Sequence, residues 1–317
     1  MNVIDARDDC ILVGNVAADP ETLRVAREQW KGKSPLVGFS SLEEALEKNR
    51  PDLAIVAVPE FAHREVVCSL LQNGIHCLCE KPIALTWDDA LSILAARPAD
   101  KVVAINQQFR WRPTVQTLLA QLRAGAIGDL GEIEIVHRQD IRRTTTGGWR
   151  ETMKHPYLFD MAVHFFDLIR YLSGREAVSL SAYAHRPEWS LFAGYPSLTA
   201  DIVMDGGIHA SFSGTFVARG WQTPQEGVMT LVGSDGTLRL DERGSVRLYK
   251  GNAVQEVPLL PIAEDDCGTT LTDVLRAIES RDKPPTDISD NIKTFAMVIA
   301  AETACASGRV TRVQQGA

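Results

Sequence analysis

The stretch "LAIVAVPEFAHREVVCSLLQNGIHCLCEKPIAL", residues 53–85, reads as a strand, a helix and a second strand in succession. Its opening "LAIVAVP" (53–59) and the later "HCLC" (76–79) are short apolar runs of the kind that suit parallel strands covered on both faces. Between them "REVVCSLLQNG" (64–74) has helical spacing of its apolar residues, which supplies the crossover that two parallel strands require. The same alternation extends outward in "ILVGNVA" (11–17), "SSLEEALEKN" (40–49), "TWDDALSILAA" (86–96) and "VVAIN" (102–106). Ser41 followed by Glu44, and Thr86 followed by Asp89, read as capping boxes that start helices directly after strand ends.

From about residue 129 the texture changes to two-residue alternation, as in "GEIEIVHRQ" (131–139), "GGIHASFSGTFV" (206–217), "GVMTLVG" (227–233) and "GTLRLDE" (236–242). Such strands suit a mostly antiparallel sheet with one covered face, and the register puts Ile208, Ala210, Phe212 and Phe216 on that face. One strong helical pattern near 158–172 interrupts it, another at 112–124 lies between the two textures, and helical patterns recur near 269–280 and 288–305. The expectation is an α/β Rossmann-like parallel sheet over residues 1–109, followed by an α+β domain with a large mostly antiparallel sheet over 110–317.

With 317 residues, 45% of them hydrophobic, the chain has ample material for a packed core. A net charge of −8 argues against broad binding to nucleic-acid backbones or anionic membrane surfaces. The start, "MNVIDARDDC", does not read as a secretory signal, and no apolar run is long enough to span a bilayer, so a cytoplasmic location is expected. The six cysteines lack zinc-ribbon spacing and read as free thiols.

Ligands of an open parallel sheet bind outside the carboxyl ends of its strands, so Lys81, just behind "HCLC", faces that crevice. Pro82 restricts Lys81 to extended geometry and fixes where the ammonium points, with a trans Lys–Pro bond as the default. Asp160 and His164 are four residues apart, hence on one helix face, with Asp167 and Tyr171 continuing the polar stripe beside apolar Met161, Phe165, Leu168 and Leu172. In "MAVHFF", an apolar neighbourhood, the histidine taken by itself reads first as a satisfied core residue and only second as a base. A metal is not expected, because no second ligand pair with helical spacing occurs among His137, His155, His185 and His209. There is no Gly-x-Ser-x-Gly of a serine hydrolase.

Taken together, "AVPEFAHREVVCSLLQNGIHCLCEKPIALT", "NQQFRWRP" and "LFDMAVHFFDLIRYLSG" resemble the Gfo/Idh/MocA family of nicotinamide-dependent oxidoreductases, over residues 11–310. The resemblance rests most on Glu80-Lys81-Pro82 and on the pair Asp160 and His164, with support from Pro59, His63 and Arg110. It implies catalysis by Lys81, Asp160 and His164, with His164 as general base and Lys81 offsetting alkoxide charge. It also implies cofactor contacts from Asp19, Pro59, His63, Glu80, Lys81, Asn106 and Arg110. The cofactor is NAD or NADP, with NAD ahead because Asp19 offers an acid near the end of the second strand. Trp149, Arg150, His155 and Tyr157 precede the catalytic helix and are expected to shape the substrate pocket, an indole and a guanidinium being suited to a polyhydroxylated ring. The implied reaction interconverts a secondary alcohol and a ketone on a sugar, inositol or related polyol, in a homodimer or homotetramer. Two alternatives stand beside it: a non-catalytic sugar-sensing or scaffold protein, and a glycosidase or epimerase that recycles its bound NAD.

One departure from the family pattern concerns the Gly-x-Gly-x-x-Gly turn that normally opens such a fold. "DDCILVGNVAADPE" reads as the second strand, so roughly 20 to 30 residues carrying the first strand and that turn are expected to be missing, and cofactor binding to be weak.

Overall fold

The computed structural model describes residues 2–5, 7–32, 35–141 and 149–315. A helical turn, α1 (Asn2–Asp5), is followed by β1 (Asn15–Val16), α2 (Pro20–Gln29), β2 (Gly38–Phe39), α3 (Leu42–Lys48), β3 (Leu53–Val56), α4 (His63–Gln72), β4 (His76–Cys79), α5 (Trp87–Ala96) and β5 (Val103–Ile105). Next come α6 (Pro113–Arg123), β6 (Leu130–Arg138), α7 (Val163–Ser173), β7 (Ala177–His185), β8 (Ser197–Met204) and β9 (His209–Thr215). The chain ends with β10 (Val228–Gly233), β11 (Gly236–Leu240), β12 (Val246–Lys250), β13 (Ala253–Val257), α8 (Asp266–Ser280), α9 (Ile288–Ser307) and β14 (Thr311–Arg312).

The β-α-β unit forms where the apolar runs put it. Strands β3, β4 and β5 pair in parallel, with Leu53 opposite His76 and Cys77 opposite Val103. Helix α4 buries Val67, Leu70 and Leu71 in the core, each a gain of about 1.5–3 kcal/mol in transfer free energy. The chain turns beyond it at Gly74, whose φ of +74° suits a residue without a Cβ. Both expected helix starts are capped: Ser41 Oγ accepts from the Glu44 N–H at 3.2 Å and Thr86 Oγ1 from the Asp89 N–H at 3.1 Å.

β1 and β2 form a separate two-stranded parallel sheet, and no strand among the described residues joins it to β3. The apolar run at 11–17 contributes only Asn15–Val16 as strand, and Ile11, Val13 and, on β3, Ile55 are exposed.

The larger sheet has nine strands in the order β13-β12-β11-β10-β6-β9-β8-β7-β14. All its pairs are antiparallel except β6 with β9. Ile208, Ala210, Phe212 and Phe216 are all buried, while Tyr183, Thr199, Asp201 and Val203 are exposed on the opposite side. Helix α7 packs against both β6 and α9, with Phe165 and Phe166 lying 5.2 and 5.9 Å, between ring centroids, from Phe212. It does not begin as a regular helix: Leu158–Ala162 form a π-turn, a feature frequent at functional sites, before α-helical spacing resumes at Val163.

A buried ionic latch ties the end of the parallel sheet to α7 and α9. Arg110 donates to Asp167 at 2.6 and 2.7 Å, to Asp290 at 3.2 Å and to the Pro285 carbonyl at 2.8 Å. Arg170 binds Glu176 and Asp290 from the neighbouring turn of α7. This corrects the expectation for Arg110, because its guanidinium is spent on internal acceptors rather than aimed at a cofactor. Tyr157 is corrected as well: it is fully buried, hydrogen-bonds His137 Nδ1 through its hydroxyl at 2.7 Å and packs edge-on to Phe216, so it belongs to the core and not to a pocket wall.

Candidate active site

The carboxyl ends of β4 and β5 carry adjoining polar segments, and the chain leading into α7 closes over them. From β4 come Glu80 and Lys81; from β5, Asn106 and Gln107; from the other side, Arg150, Asp160 and His164. Parallel register makes this edge a single platform, since Cys79 pairs with Ile105 and the Asn106 N–H continues the ladder to the Cys79 carbonyl at 2.8 Å.

Lys81 and Asp160 meet at 2.8 Å between Nζ and Oδ1, and Nζ also donates to the Asp160 backbone carbonyl. Arg150 takes the carboxylate from the open side, Nε to Oδ2 at 2.8 Å and Nη2 to Oδ1 at 3.3 Å. Burial pushes the Asp160 carboxyl up, but the Lys81 ammonium and the Arg150 guanidinium outweigh it and hold the group below the usual carboxylate range. His164 is buried beside this pair. Burial first, and then the Lys81 charge, hold its imidazole well below the usual histidine pKa, so the ring is neutral near pH ~7. Its Nδ1 lies 2.8 Å from Gln107 Oε1, and the Phe109 ring stacks on it with centroids 4.3 Å apart.

Around this core, Asn106 donates to Glu80 Oε1 at 2.6 Å and keeps a buried Oδ1 without a partner among the described residues. Glu60 is buried with Oε2 likewise unpartnered; burial raises its carboxyl, and the Asp160 charge adds to that rise. Unpaired buried acceptors are costly unless a ligand or water completes them, so this edge fits a ligand that brings hydrogen-bond donors. Among the described residues no group of three or more histidine, cysteine, aspartate or glutamate side chains is gathered as a metal site would require.

The remaining expected site residues divide. His63 is fully buried behind the loop, Nδ1 at 2.9 Å from the Pro82 carbonyl and Nε2 at 3.0 Å from the Val58 carbonyl, so it braces the turn that carries Lys81 instead of facing a cofactor. A neutral ring donates to one of these carbonyls at a time, and burial keeps the ring's pKa below the usual value. The Lys81–Pro82 bond is cis, not the trans default. Pro59 is exposed and caps the 3-10 turn Glu60–Ala62. Asp19 caps α2, its carboxylate accepting from the Glu21 and Thr22 N–H groups and the Thr22 hydroxyl. His155 is buried with both ring nitrogens lacking a partner among the described residues, and it stacks on Tyr195. The Trp149 side chain lies outside the described residues. Gln107, Phe109 and Glu60 were not among the expected residues. The only sequence signal for Gln107 is a polar "NQQ" directly behind a buried strand, a pattern that ordinary strand ends share.

A family profile described as "Oxidoreductase family, NAD-binding Rossmann fold" matches residues 1–107, and a second, for the GFO/IDH/MocA C-terminal domain, matches residues 115–239. D-apiose dehydrogenase of Paraburkholderia graminis is 24% identical over 97% of this chain and 84% of its own length. 1,5-anhydro-D-fructose reductase of Ensifer adhaerens is 24% identical over 92% of this chain and 87% of its own. In fold, the chain matches the crystal structure of an oxidoreductase from Agrobacterium radiobacter in complex with NAD+, L-tartaric acid and magnesium. The TM-score is 0.90 at 19% identity, covering 99% of this chain and 94% of that one.

Proposed function

The chain belongs to the Gfo/Idh/MocA oxidoreductase family, and from that premise we propose that it is a nicotinamide-dependent dehydrogenase of a sugar, inositol or related polyol. The observation that carries the reading is the convergence of the Lys81 ammonium, the Asp160 carboxylate and the neutral His164 imidazole at one sheet edge. A bound nicotinamide would supply the hydride acceptor. Glu80, Asn106 and Lys81 would hold its ring end, with the unpartnered Asn106 Oδ1 available to a carboxamide N–H.

In the proposed chemistry His164 takes the proton of the substrate hydroxyl, which a neutral imidazole can do and an imidazolium cannot. Lys81 donates to the same oxygen and offsets the alkoxide charge that develops there. Asp160 fixes the Lys81 ammonium and stabilises the imidazolium that His164 becomes. Arg150, bonded to Asp160 with its side chain 38% exposed, stands at the open side, where it can trade that bond for a substrate hydroxyl or other acceptor. His155 and Glu60 offer further polar atoms for a polyhydroxylated ligand.

The test is reduction of NAD or NADP over a panel of sugars, inositols and sugar acids, comparing the wild type with His164→Asn. Steady NADH or NADPH production by the wild type, lost in the variant, is expected. Nucleotide binding without turnover on any of the panel would favour a sensor, and product formation without net NADH would favour a cofactor-recycling enzyme.

A further inference from the structure

His164 can act as a base through Nε2 only if the ring's single proton sits on Nδ1, and nothing in the histidine itself dictates this. Gln107 does. It is the second residue beyond β5, 99% buried, with its own N–H bonded to the Ile105 carbonyl and its carbonyl accepting from the Arg110 N–H at 3.2 Å. Arg110 is in turn held by the Asp167 latch, so the backbone carrying Gln107 is anchored at both sides. Its amide oxygen lies 2.8 Å from His164 Nδ1, and Nε2 of the ring has no hydrogen-bond partner among the described residues. Phe109, from the same segment, stacks on the ring at 14° and prevents it from rotating.

We propose that Gln107 is the positioning residue that sets the His164 tautomer, keeping the proton on Nδ1 and presenting the Nε2 lone pair to the reacting hydroxyl. This rests on the dehydrogenase reading for its consequence, though not for its geometry. An amide oxygen only accepts, so in this orientation it demands Nδ1–H. The reverse orientation would put the amide NH2 on Nδ1, force the proton to Nε2 and leave no base for substrate. A carboxylate in this place would also accept from Nδ1–H, but its charge would favour the imidazolium and so raise the ring's pKa. The neutral amide sets the tautomer without that effect. The charged and titratable groups that act on the ring are Lys81, Asp160, Arg112 and His137. Lys81 and Arg112 disfavour the imidazolium and Asp160 favours it, but among the described residues only Gln107 hydrogen-bonds Nδ1.

The experiment reads the tautomer directly, by two-bond 1H–15N NMR correlation on protein labelled with 15N-histidine, with His164→Asn identifying the His164 signals. Wild type is expected to show a protonated Nδ1 and an unprotonated Nε2, and Gln107→Leu a shift of population to Nε2–H. In parallel, kcat of Gln107→Leu is expected to fall about tenfold to a thousandfold with the KM for nucleotide unchanged, general-base catalysis as a whole contributing roughly 10²–10⁴. Gln107→Glu is expected to retain the Nδ1–H tautomer and to move the acidic limb of the kcat/KM profile to higher pH, which loss of packing alone would not do. A wild-type ring protonated on Nε2, or a Gln107→Leu ring unchanged from wild type, overturns the proposal. If Gln107→Leu does not fold, the wild-type spectrum and Gln107→Glu decide it. The correct tautomer with no turnover on any substrate would sink the dehydrogenase reading and leave this inference standing.

Discussion

Replacing Arg110 by methionine separates a structural latch from a cofactor contact. Its guanidinium is 5% exposed and makes four bonds, two of them to an Asp167 carboxylate that is itself 1% exposed. Methionine keeps much of the volume but leaves Asp167 with Thr294 Oγ1, at 3.0 Å, as its remaining hydrogen-bond donor among the described side chains. Removing one partner of a buried ion pair costs about 3–5 kcal/mol. At about 2–4 °C per kcal/mol for a chain of this size class, the melting temperature should fall on the order of 10 °C. Replacing both members, Arg110→Met with Asp167→Leu, removes the stranded charge and should recover most of the loss, because a well-packed apolar pair is often neutral relative to a buried ion pair. Circular dichroism melts of the two single variants and the double variant give the coupling, and calorimetric titration with NAD or NADP gives the affinity at a temperature where all are folded. An Arg110→Met protein that melts with the wild type yet loses nucleotide affinity would refute the latch and restore the cofactor contact.

Lys81→Met should lower kcat by roughly 10²–10³, the scale of losing one preorganised donor at a developing oxyanion, while leaving the fold intact; retention of wild-type turnover would remove Lys81 from the mechanism. Stability should fall as pH falls below about 6.5, because His63, His137 and His164 are held neutral in the fold, His137 down to about 3, while the unfolded chain protonates each of them. The unfolded state then binds more protons, so the loss reaches up to about 1.4 kcal/mol per pH unit for each imidazole. The depressed Asp160 carboxyl adds to this at lower pH, its contribution being present above about 3.9 and lost as pH drops through its lower folded value. Melting temperatures that stay level from about pH 7 to about pH 5 would contradict that reasoning. The open face of the nine-stranded sheet, with Tyr183 68% and Val203 48% exposed, should pair with a second copy. Light scattering should give at least a dimer mass, lowered by Tyr183→Lys with Val203→Lys, and a monomer at every concentration would count against it.

The features that were legible in the sequence are those decided over a few residues. Apolar runs of strand length alternating with helical periods name a parallel sheet because each side chain's face is set by local geometry. Ser41 and Thr86 cap their helices because the N–H groups they satisfy lie three residues on. The two-residue alternation at 206–217 put Ile208, Ala210, Phe212 and Phe216 on one buried face for the same reason. Lys81, Asp160 and His164 stood out through their resemblance to family motifs, which carries information about distant partners that residue spacing does not.

What only the tertiary structure decided is which distant groups meet. Arg110 reads as a cofactor contact until Asp167, 57 residues away, closes on it, and Tyr157 reads as a pocket residue until His137 and Phe216 enclose it. The π-turn at Leu158–Ala162, the parallel pairing of β6 with β9 and the bracing of Pro82 by His63 are likewise absent from any local pattern. Gln107 is the sharpest case. Its local sequence is an ordinary polar strand end, and its importance comes from one buried hydrogen bond to a ring on another element. A hydrogen bond between residues far apart in sequence depends on how the elements pack, and packing is a property of the whole chain.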